Sequence, residues 1–354
     1  MRFGICVMAD VDEIAFFKHA EDLGYDSVWV TDSQMIFSDC YAVLALAAQQ
    51  THRIRLGPGT AICGTRIPPV HVAAMATLNK LAPGRVHIGI GTGNTAMRTM
   101  GQRPMRIAEY DEYLRVLAAL LRGETVDYRY RDRVRPVRML TDNKKYLSLV
   151  PKIPLYVSGF GPRAMELAGT HGDGLVFAIP PRGIAVADAL GHARNGAARA
   201  GRTLDGFRNC ALTNVALLEP GEPVDSPRVV RTVGPNVMAS VYYFYDEVQE
   251  RGTEPPEFLR PIWKRYCALV EETPAEYRHF RTHEFHYTYL HPGEAELIDA
   301  RLIRATCLVG TAEALVEQVS ELERQGLQEL MFAIGVDEKW RVAEAFARGV
   351  IARM

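Results

Sequence analysis

The sequence predicts a parallel (β/α)8 barrel, an α/β fold, with a long insertion before the eighth strand. Three observations favour this fold class. Short apolar runs alternate with amphipathic stretches along most of the chain, in about eight units. The runs are apolar on both faces, which is typical of parallel strands covered by helices. The length of 354 residues suits one large domain, so a closed barrel fits better than an open sheet.

Each predicted strand is a short apolar run between polar or glycine-containing segments. In chain order the strands are Phe3–Met8, Ser27–Val30, a strand opening at Ile54–Leu56, Val86–Ile90, Pro154–Val157, Leu175–Ile179, Cys210–Leu218 and Glu329–Ile334. Helices are predicted where apolar residues recur at helical spacing or where proline opens a first turn. They are Asp12–Leu23, Cys40–Gln50, Pro68–Leu81, Met105–Leu121, Pro162–Ala168, Ile184–Arg199, Ala312–Gln325 and a terminal helix after Asp337.

Two segments interrupt the alternation. Glu124–Lys152 is a polar excursion, and its basic cluster Arg129–Arg138 is expected to be a solvated loop. The segment 219–303 is rich in prolines and aromatics, including Tyr242–Tyr245 and Trp263. We expect it to be a helical, aromatic lid within a single domain of residues 1–354. The alternative is that most of these aromatics pack the insertion's own core.

Composition narrows the classes of partner. The 41 basic and 42 acidic residues give a net charge of −1, so neither nucleic acid nor an anionic membrane is expected as a partner. The six cysteines form no C-x-x-C pair, which favours reduced, buried thiols. The amino terminus lacks a signal-peptide pattern, and no apolar run is long enough to span a bilayer. A cytoplasmic protein is therefore expected.

Glycine-rich loops follow three consecutive strands, at Gly57–Ala61, Gly89–Asn94 and Ser158–Pro162. Glycine allows a flat ligand or a phosphate to approach the backbone, and active sites of barrels lie at these strand ends. Ser158 and Gly159 precede a predicted helix amino terminus, which suits a phosphate. The alternative is that the glycines only permit tight turns. The G-x-G-x-G spacing of the second loop differs from the G-x-G-x-x-G dinucleotide fingerprint.

Two side chains are candidate catalytic residues. Asp32 ends the second strand, where it would orient a cofactor or substrate, or else serve as a helix-capping or turn aspartate. His286 lies in a segment whose aromatics alternate at 285, 287 and 289, which predicts an extended run. His283 and His286 would then point to opposite sides, so no metal site is expected. His286 is either a structural histidine or a substrate-contacting acid or base on the lid.

These loops resemble the bacterial-luciferase-like oxidoreductase superfamily, specifically its methylenetetrahydromethanopterin-reductase-like branch. Each motif is short, but they occur in family order over most of the chain outside 219–303. The matching stretches are Ile54–Gly59, Gly84–Gly91, Ile153–Tyr156, Gly161–Pro162 with Ala168–Gly169, Asp173–Gly174, and Val309–Thr311 followed by Gly326–Leu327.

The resemblance implies a barrel that binds reduced FMN or the deazaflavin coenzyme F-420, usually as a homodimer or higher homo-oligomer. It also implies a cis peptide at Gly59–Thr60. By the same match, the ring or ribityl chain would contact Gly91, Gly93 and Asn94, and the phosphate would contact Ser158, Gly159 and Gly161. One departure is that Ser33 follows Thr31-Asp32 where deazaflavin enzymes of this family often carry histidine.

The principal functional expectation is a monooxygenase that uses reduced FMN and O2 on a small organic substrate. Whether a separate flavin reductase supplies the reduced flavin is left open. The alternative is a coenzyme F-420-dependent reductase or dehydrogenase. A non-catalytic flavin-binding barrel is the third possibility, which the retained glycine loops disfavour.

Overall fold

The computed structural model describes residues 1–140, 145–181 and 183–354. Its strands are β1 (Arg2–Val7), β2 (Ser27–Val30), β3 (Arg55–Pro58), β4 (Ala61–Ile62), β5 (Ile88–Gly91), β6 (Val126–Tyr130), β7 (Arg133–Val137), β8 (Leu155–Ser158), β9 (Gly174–Ala178), β10 (Arg208–Thr213), β11 (Val215–Leu217), β12 (Leu308–Gly310) and β13 (Glu329–Ala333). Its α-helices are α1 (Ala15–Asp22), α2 (Cys40–Gln50), α3 (Pro68–Leu81), α4 (Asn94–Arg98), α5 (Ile107–Leu121), α6 (Pro162–His171), α7 (Val186–Arg199), α8 (Pro227–Arg251), α9 (Arg260–Glu271), α10 (Arg278–Arg281), α11 (Ala300–Thr306), α12 (Ala312–Arg324) and α13 (Lys339–Gly349).

The main sheet is parallel and follows the order β3-β2-β1-β13-β10-β9-β8-β5-β4. Strands β3 and β4 are two halves of one strand position, separated by Gly59 and Thr60. A bridge between Leu56 and Val86 joins this position to the chain before β5 and completes the circle. The sheet is thus a barrel of eight strand positions, and the predicted fold class is confirmed.

Two hydrophobic layers hold the barrel together. The larger layer lies between the strands and the surrounding helices, where apolar side chains of both are buried. The smaller layer fills the barrel interior with Cys6, Trp29, Tyr156, Val176, Cys210, Met331 and Ala333. Because side chains alternate along a strand, the residues of one face of each strand reach this interior and the others pack against helices.

The amino-terminal end of the barrel carries a buried polar network. Arg55 at the start of β3 forms an ion pair with Glu329 at the start of β13, with 2.6 Å between Nη2 and Oε2. Ser27 donates a hydrogen bond to Glu329. The indole N–H of Trp29 lies 2.9 Å from the Ser27 hydroxyl and 3.1 Å from Oε1 of Glu329. The charged and polar groups of this network are thus paired with one another, which offsets the cost of burying them.

The insertion between β11 and β12 is largely helical and has its own core. Strands β11 and β12 pair in parallel and bring its two ends together. Tyr242 and Tyr245 of α8 are buried in this core, and Phe244 and Trp263 pack against it. Tyr243 is different, because its ring lies against Phe160 of the loop after β8, with 6.4 Å between the two ring centroids. Most of the aromatics therefore belong to the insertion's core.

Two local predictions were wrong. The cluster Arg129–Arg138, expected to be a loop, lies largely in an antiparallel hairpin of β6 and β7. Alternation brings Val126, Tyr128 and Val137 against the main core, and this contact holds the hairpin. The run around His286, expected to be extended, is a series of turns. Its backbone hydrogen bonds include His286 N–H to His283 O, 3.1 Å, and Thr288 N–H to Phe285 O, 2.9 Å.

All six cysteines are free thiols. Five of them are buried, and Cys267 is half-buried. Among the residues with described positions, no helix combines the length and apolar character needed to cross a bilayer.

Candidate functional site

The third strand position is broken by a cis peptide bond between Gly59 and Thr60, as the resemblance implied. The Gly59 N–H donates to the carbonyl of Val30 over 2.7 Å. The thiol of Cys6 lies 3.7 Å from the Gly59 carbonyl oxygen and donates to it. Burial raises the pKa of Cys6 to about 12, so this thiol stays protonated as a donor at neutral pH. The broken strand is therefore supported from inside the barrel.

The ends of three strand positions converge at one point of the barrel mouth. A Cβ placed on Gly91 would lie 2.9 Å from the hydroxyl of Thr60 and 3.6 Å from Cβ of Ser158. The hydroxyl of Tyr110 in α5 donates to the Ile90 carbonyl at 2.7 Å. These contacts bring together three of the predicted cofactor residues, and glycine at position 91 permits the close approach of Thr60.

The amino terminus of α6 lies directly after this point. Its N-cap is Gly161, which contributes no capping side chain, and Pro162 follows as the first helical residue. A Cβ on Gly161 would meet no heavy atom of the described residues within 4 Å, apart from its chain neighbours, so the space beside the helix end is open. A Cβ on Gly159 would instead lie 2.8 Å from the carbonyl carbon of Ala164. Gly159 thus permits the tight turn, whereas Gly161 borders space for an anion.

Gly93 and Asn94 form the start of α4 above β5. Gly93 has φ +86°, a conformation that favours glycine, and a Cβ there would lie 2.5 Å from Cγ2 of Ile62. The side-chain oxygen of Asn94 accepts a hydrogen bond from Nε of Arg98 at 2.8 Å. The loop after β5 is therefore packed against the second half of the broken strand.

Asp32 supports the broken strand from the other side. Its carboxylate is buried and receives two hydrogen bonds from Nη1 of Arg66, at 3.1 and 3.0 Å. Oδ2 also accepts from the backbone N–H of Ile62 in β4 at 3.3 Å. Burial raises the pKa of Asp32 above its ordinary value, while the charge of Arg66 opposes this rise. The helix-capping alternative is wrong, because the cap of α2 is Asp39.

His286 reaches the same mouth from the insertion. We call the run of turns at residues 282–288 the strap. Nε2 of His286 lies 3.1 Å from the Thr95 hydroxyl in α4. The neighbouring Tyr287 has φ +63°, which is unusual for a bulky residue, and its side chain packs against the barrel-interior cluster. The strap therefore contacts both the loop after β5 and the barrel interior.

Sequence reasoning missed the residues that support the site. Arg66, Tyr110 and Cys6 act through contacts to residues 20 to 53 positions away, and no local pattern reveals such contacts. Cys6 alone had a signal, since it occupies an inward position of β1. Within the described ranges, no group of three or more His, Cys, Asp or Glu side chains is arranged to hold a metal ion.

A flat heterocycle with a phosphorylated tail fits this arrangement. The half-buried cis peptide between Gly59 and Thr60 lies at the mouth and offers a flat surface on which a ring can lie. The bare, open amino terminus of α6 lies beside Ser158 and offers backbone N–H groups and a positive dipole end to a phosphate. The residues that would hold such a group therefore occupy one end of the barrel, with the strap beside them.

Comparison with known proteins is consistent with this chemistry. Residues 1–329 match the luciferase-like monooxygenase family. The chain is 27% identical to 5,10-methylenetetrahydromethanopterin reductase of Archaeoglobus fulgidus over 351 residues, which are 96% of each protein. It is 33% identical to the coenzyme F-420-dependent glucose-6-phosphate dehydrogenase of Beutenbergia cavernae over 213 residues, 54% of this chain and 60% of the relative. The coenzyme F-420-dependent tetrahydromethanopterin reductase of Methanopyrus kandleri has the same fold, with TM-score 0.67, 22% identity and 99% coverage of both chains.

Proposed function

The chain belongs to the luciferase-like monooxygenase family of oxidoreductases, and from this premise we propose that it is a coenzyme F-420-dependent reductase or dehydrogenase of a small organic substrate. The observation that carries the proposal is the identity to curated relatives, one over nearly the whole chain and one whose name states dependence on coenzyme F-420. These relatives support the alternative of the sequence analysis better than its principal expectation of an FMN monooxygenase.

When bound, the deazaflavin would supply a hydride acceptor or donor, and the protein would supply binding, orientation and electrostatics. In this proposal the ring lies over the broken strand and Gly91. Its phosphate is held by Ser158 and the first turn of α6, whose dipole and N–H groups favour an anion. Asp32 is then a positioning residue, because it fixes Ile62 and with it the second half of the broken strand.

His286 is the proposed acid or base toward the substrate. It is carried by the insertion, it lies at the mouth, and its ring is oriented by Thr95. Histidine suits proton transfer near neutral pH. Ser33 occupies the position after Asp32, so a proton donor for this site has to come from elsewhere, and the insertion provides one. In this role the insertion also acts as the lid that excludes water from the ring.

The second candidate is the reduced-FMN monooxygenase, and Ser33 is the observation that favours it. Deazaflavin enzymes of this family often carry histidine there, whereas a monooxygenase needs only a dry, oriented ring. The insertion's Tyr243 and the strap's Tyr287 would provide apolar cover for such a site.

Titration of the cofactor-free protein separates the two candidates. We expect fluorescence titration to show that coenzyme F-420 binds at least tenfold more tightly than FMN, and mass spectrometry of freshly purified protein to identify the retained coenzyme. Tighter binding of FMN together with substrate-dependent O2 uptake would replace our proposal with the second candidate. Binding of a coenzyme without turnover in a broad substrate panel would favour the non-catalytic barrel.

The homodimer or higher homo-oligomer implied by the resemblance stays a prediction. Light scattering of the purified protein should give a mass at least twice the 39.5 kDa of one chain.

A further inference from the structure

Helix α4 is the point at which the insertion meets the loop after β5. Arg98, its last residue, is buried, with 8% of its surface exposed. Two of its partners are carboxylates of α8 in the insertion. Glu250 accepts two hydrogen bonds, 2.6 Å from Nη1 and 3.0 Å from Nη2, and Oδ2 of Asp246 lies 3.3 Å from Nε. A planar guanidinium with five donors is suited to such a bidentate pair.

The remaining partner of Arg98 is a predicted cofactor residue. Nε of Arg98 donates to Oδ1 of Asn94 one turn earlier. Arginine has only donors, so the atom of Asn94 that faces it must be the oxygen. The amide NH2 group of Asn94 is consequently turned away from Arg98, where it can donate to a ligand. Without Arg98, the two ends of this amide would be nearly equivalent in shape, and either could face the mouth.

Further contacts tie α4 to the rest of the mouth. Nε2 of His283 in the strap lies 3.2 Å from the same Asp246 oxygen, and Thr95 contacts His286. From the loop after β2, Nε2 of Gln34 donates to the carbonyl of Ala96 at 2.7 Å. Helix α4 therefore contacts α8 and the strap, which both belong to the insertion, as well as two barrel loops. Arg98 is the side chain that joins α8 to Asn94.

We propose that Arg98 is a positioning residue that makes the orientation of Asn94, and hence coenzyme affinity, depend on docking of the insertion. This inference rests on the proposed function, because it assumes that Asn94 donates to the coenzyme. When the insertion is docked, the carboxylates of α8 bind Arg98. Arg98 then orients Asn94 so that its NH2 group faces the coenzyme. Because such coupling is reciprocal, the bound coenzyme also strengthens docking of the insertion. The lid thus closes more tightly on a loaded barrel.

The test is a double-mutant cycle on coenzyme affinity. Arg98→Lys retains the charge but loses the fork and the Nε donor, and it should weaken coenzyme F-420 about tenfold, within the usual range of coupling between sites. Asn94→Ala should weaken binding by a similar factor. Because Arg98 acts through Asn94, the affinity of the double variant for coenzyme F-420 should lie within about twofold of the affinity of Asn94→Ala. Additive losses, or wild-type affinity of Arg98→Lys, would overturn the proposal.

Glu250→Gln tests docking from the side of the insertion, without a substitution in α4. In the coenzyme-free protein it should speed amide hydrogen exchange in the strap, and it should weaken coenzyme binding several-fold. The matched control is Glu222→Gln, which removes the nearer of the two carboxylate partners of Arg228 at the other end of the insertion. That variant should retain wild-type affinity and strap exchange even where its thermal midpoint falls equally. Unchanged strap exchange in Glu250→Gln, or equal effects of both variants, contradicts docking through Arg98.

The two proposals fail in different ways. If the wild-type protein binds neither coenzyme F-420 nor FMN, the proposed function fails, and the coupling to coenzyme fails with it. If the wild-type protein binds a coenzyme and the cycle is additive, the proposed function stands and only the role of Arg98 is refuted.

Discussion

The glycines at the ends of the strands look alike in the sequence, but different physical constraints explain why glycine occupies each position. A Cβ on Gly59 would lie 2.5 Å from Cβ of Trp29 and 3.2 Å from its Cα, so the chain at Trp29 requires glycine there. A Cβ on Gly161, by contrast, would have no described atom within 4 Å other than those of its chain neighbours. The first position is determined by packing and the second leaves space for a ligand. Only the second kind of glycine is evidence for a binding site, and a single sequence does not separate the two kinds.

Ser158 gives the sharpest test of the phosphate position at the scale of one residue. Ser158→Asp places a negative charge beside the first turn of α6, where we propose that the phosphate binds. Two like charges a few ångströms apart repel by about 1 to 4 kcal/mol, depending on the local dielectric constant. We expect coenzyme affinity to fall on the order of 100-fold in fluorescence titration.

Two variants serve as controls for that experiment. Ser158→Ala removes the hydroxyl without adding charge and should cost about tenfold at most. Ser320→Asp adds the same charge on α12, outside the proposed site, and should leave affinity unchanged. Wild-type affinity of Ser158→Asp would remove the end of β8 from the coenzyme site.

His71 makes a prediction about stability and pH. It is fully buried in α3, and its Nδ1 contacts the hydroxyl of Tyr113. Burial, aided by the charge of Arg66, lowers the pKa of His71 to about 3 from an ordinary value of 6.5. Below pH 6.5 the unfolded chain binds a proton that the folded protein does not bind. The contribution of His71 to stability is therefore present above pH 6.5 and is lost as the pH falls from 6.5 toward 3.

Chemical denaturation at several pH values measures this effect. His71→Gln should reduce the slope of unfolding free energy against pH between 6 and 4 by up to about 1.4 kcal/mol per pH unit. His52→Gln, at an exposed position, should leave the slope as in the wild type. An unchanged slope in His71→Gln would mean that this imidazole is protonated in the folded protein.

At the scale of elements, the strap shows why alternation in sequence can mislead. Aromatic residues at 285, 287 and 289 suggest a strand, but within the described part of the chain no strand pairs with this segment. Hydrogen bonds between residues three apart satisfy its backbone instead, as between His283 O and the N–H of His286. The hairpin of β6 and β7 is the opposite case. Its arginines masked a pattern in which only Val126, Tyr128 and Val137 contact the core.

His286 tests whether the strap takes part in chemistry. His286→Ala should lower kcat about 100-fold while coenzyme affinity changes less than about threefold, since a lost acid or base typically costs 100- to 10,000-fold. His286→Gln keeps a polar partner for Thr95 but cannot exchange a proton near neutral pH. It should show the same loss of kcat and should flatten the corresponding limb of the pH–rate profile.

The structural alternative predicts a different outcome for these variants. If His286 only anchors the strap to α4, His286→Gln should retain most of the wild-type turnover and its pH profile. His192→Ala, in α7 on the outer surface of the barrel, controls for histidine loss in general and should have no effect on either quantity.

At the scale of the whole molecule, the repeat of strand and helix was enough to predict the barrel. Parallel strands have both faces covered, so their apolar runs are recognisable, and all eight predicted runs overlap a barrel strand position or border one. The third position was predicted only as far as its break, and the cis peptide came from the resemblance. Contacts such as Asp32–Arg66 and Arg98–Glu250 could not be predicted, because they join segments 34 and 152 residues apart.

The network at the amino-terminal end links closure of the barrel to the mouth at the opposite end. Arg55 and Glu329 join strand positions three and eight, which are 274 residues apart in sequence. Through its indole N–H, Trp29 is bound to the same carboxylate, and the backbone of Trp29 lies beneath Gly59. A change at the far end of the barrel should therefore reach the broken strand through one side chain.

Glu329→Gln measures both consequences. It leaves the largely buried Arg55 guanidinium without its charge partner, and we expect a loss of about 3 kcal/mol in unfolding free energy by chemical denaturation. Coenzyme affinity should fall as well, since the neutral amide oxygen of glutamine is a weaker acceptor for Trp29 than the carboxylate. The double variant Arg55→Met/Glu329→Leu removes both charges and should recover most of the stability, because an apolar pair avoids the cost of desolvation. The double variant should not recover coenzyme affinity if the hydrogen bond from Trp29 to Glu329 positions the backbone beneath Gly59. If stability and coenzyme affinity both recover, the ion pair affects the mouth only through global stability. If neither recovers, the network is needed for packing rather than for charge balance.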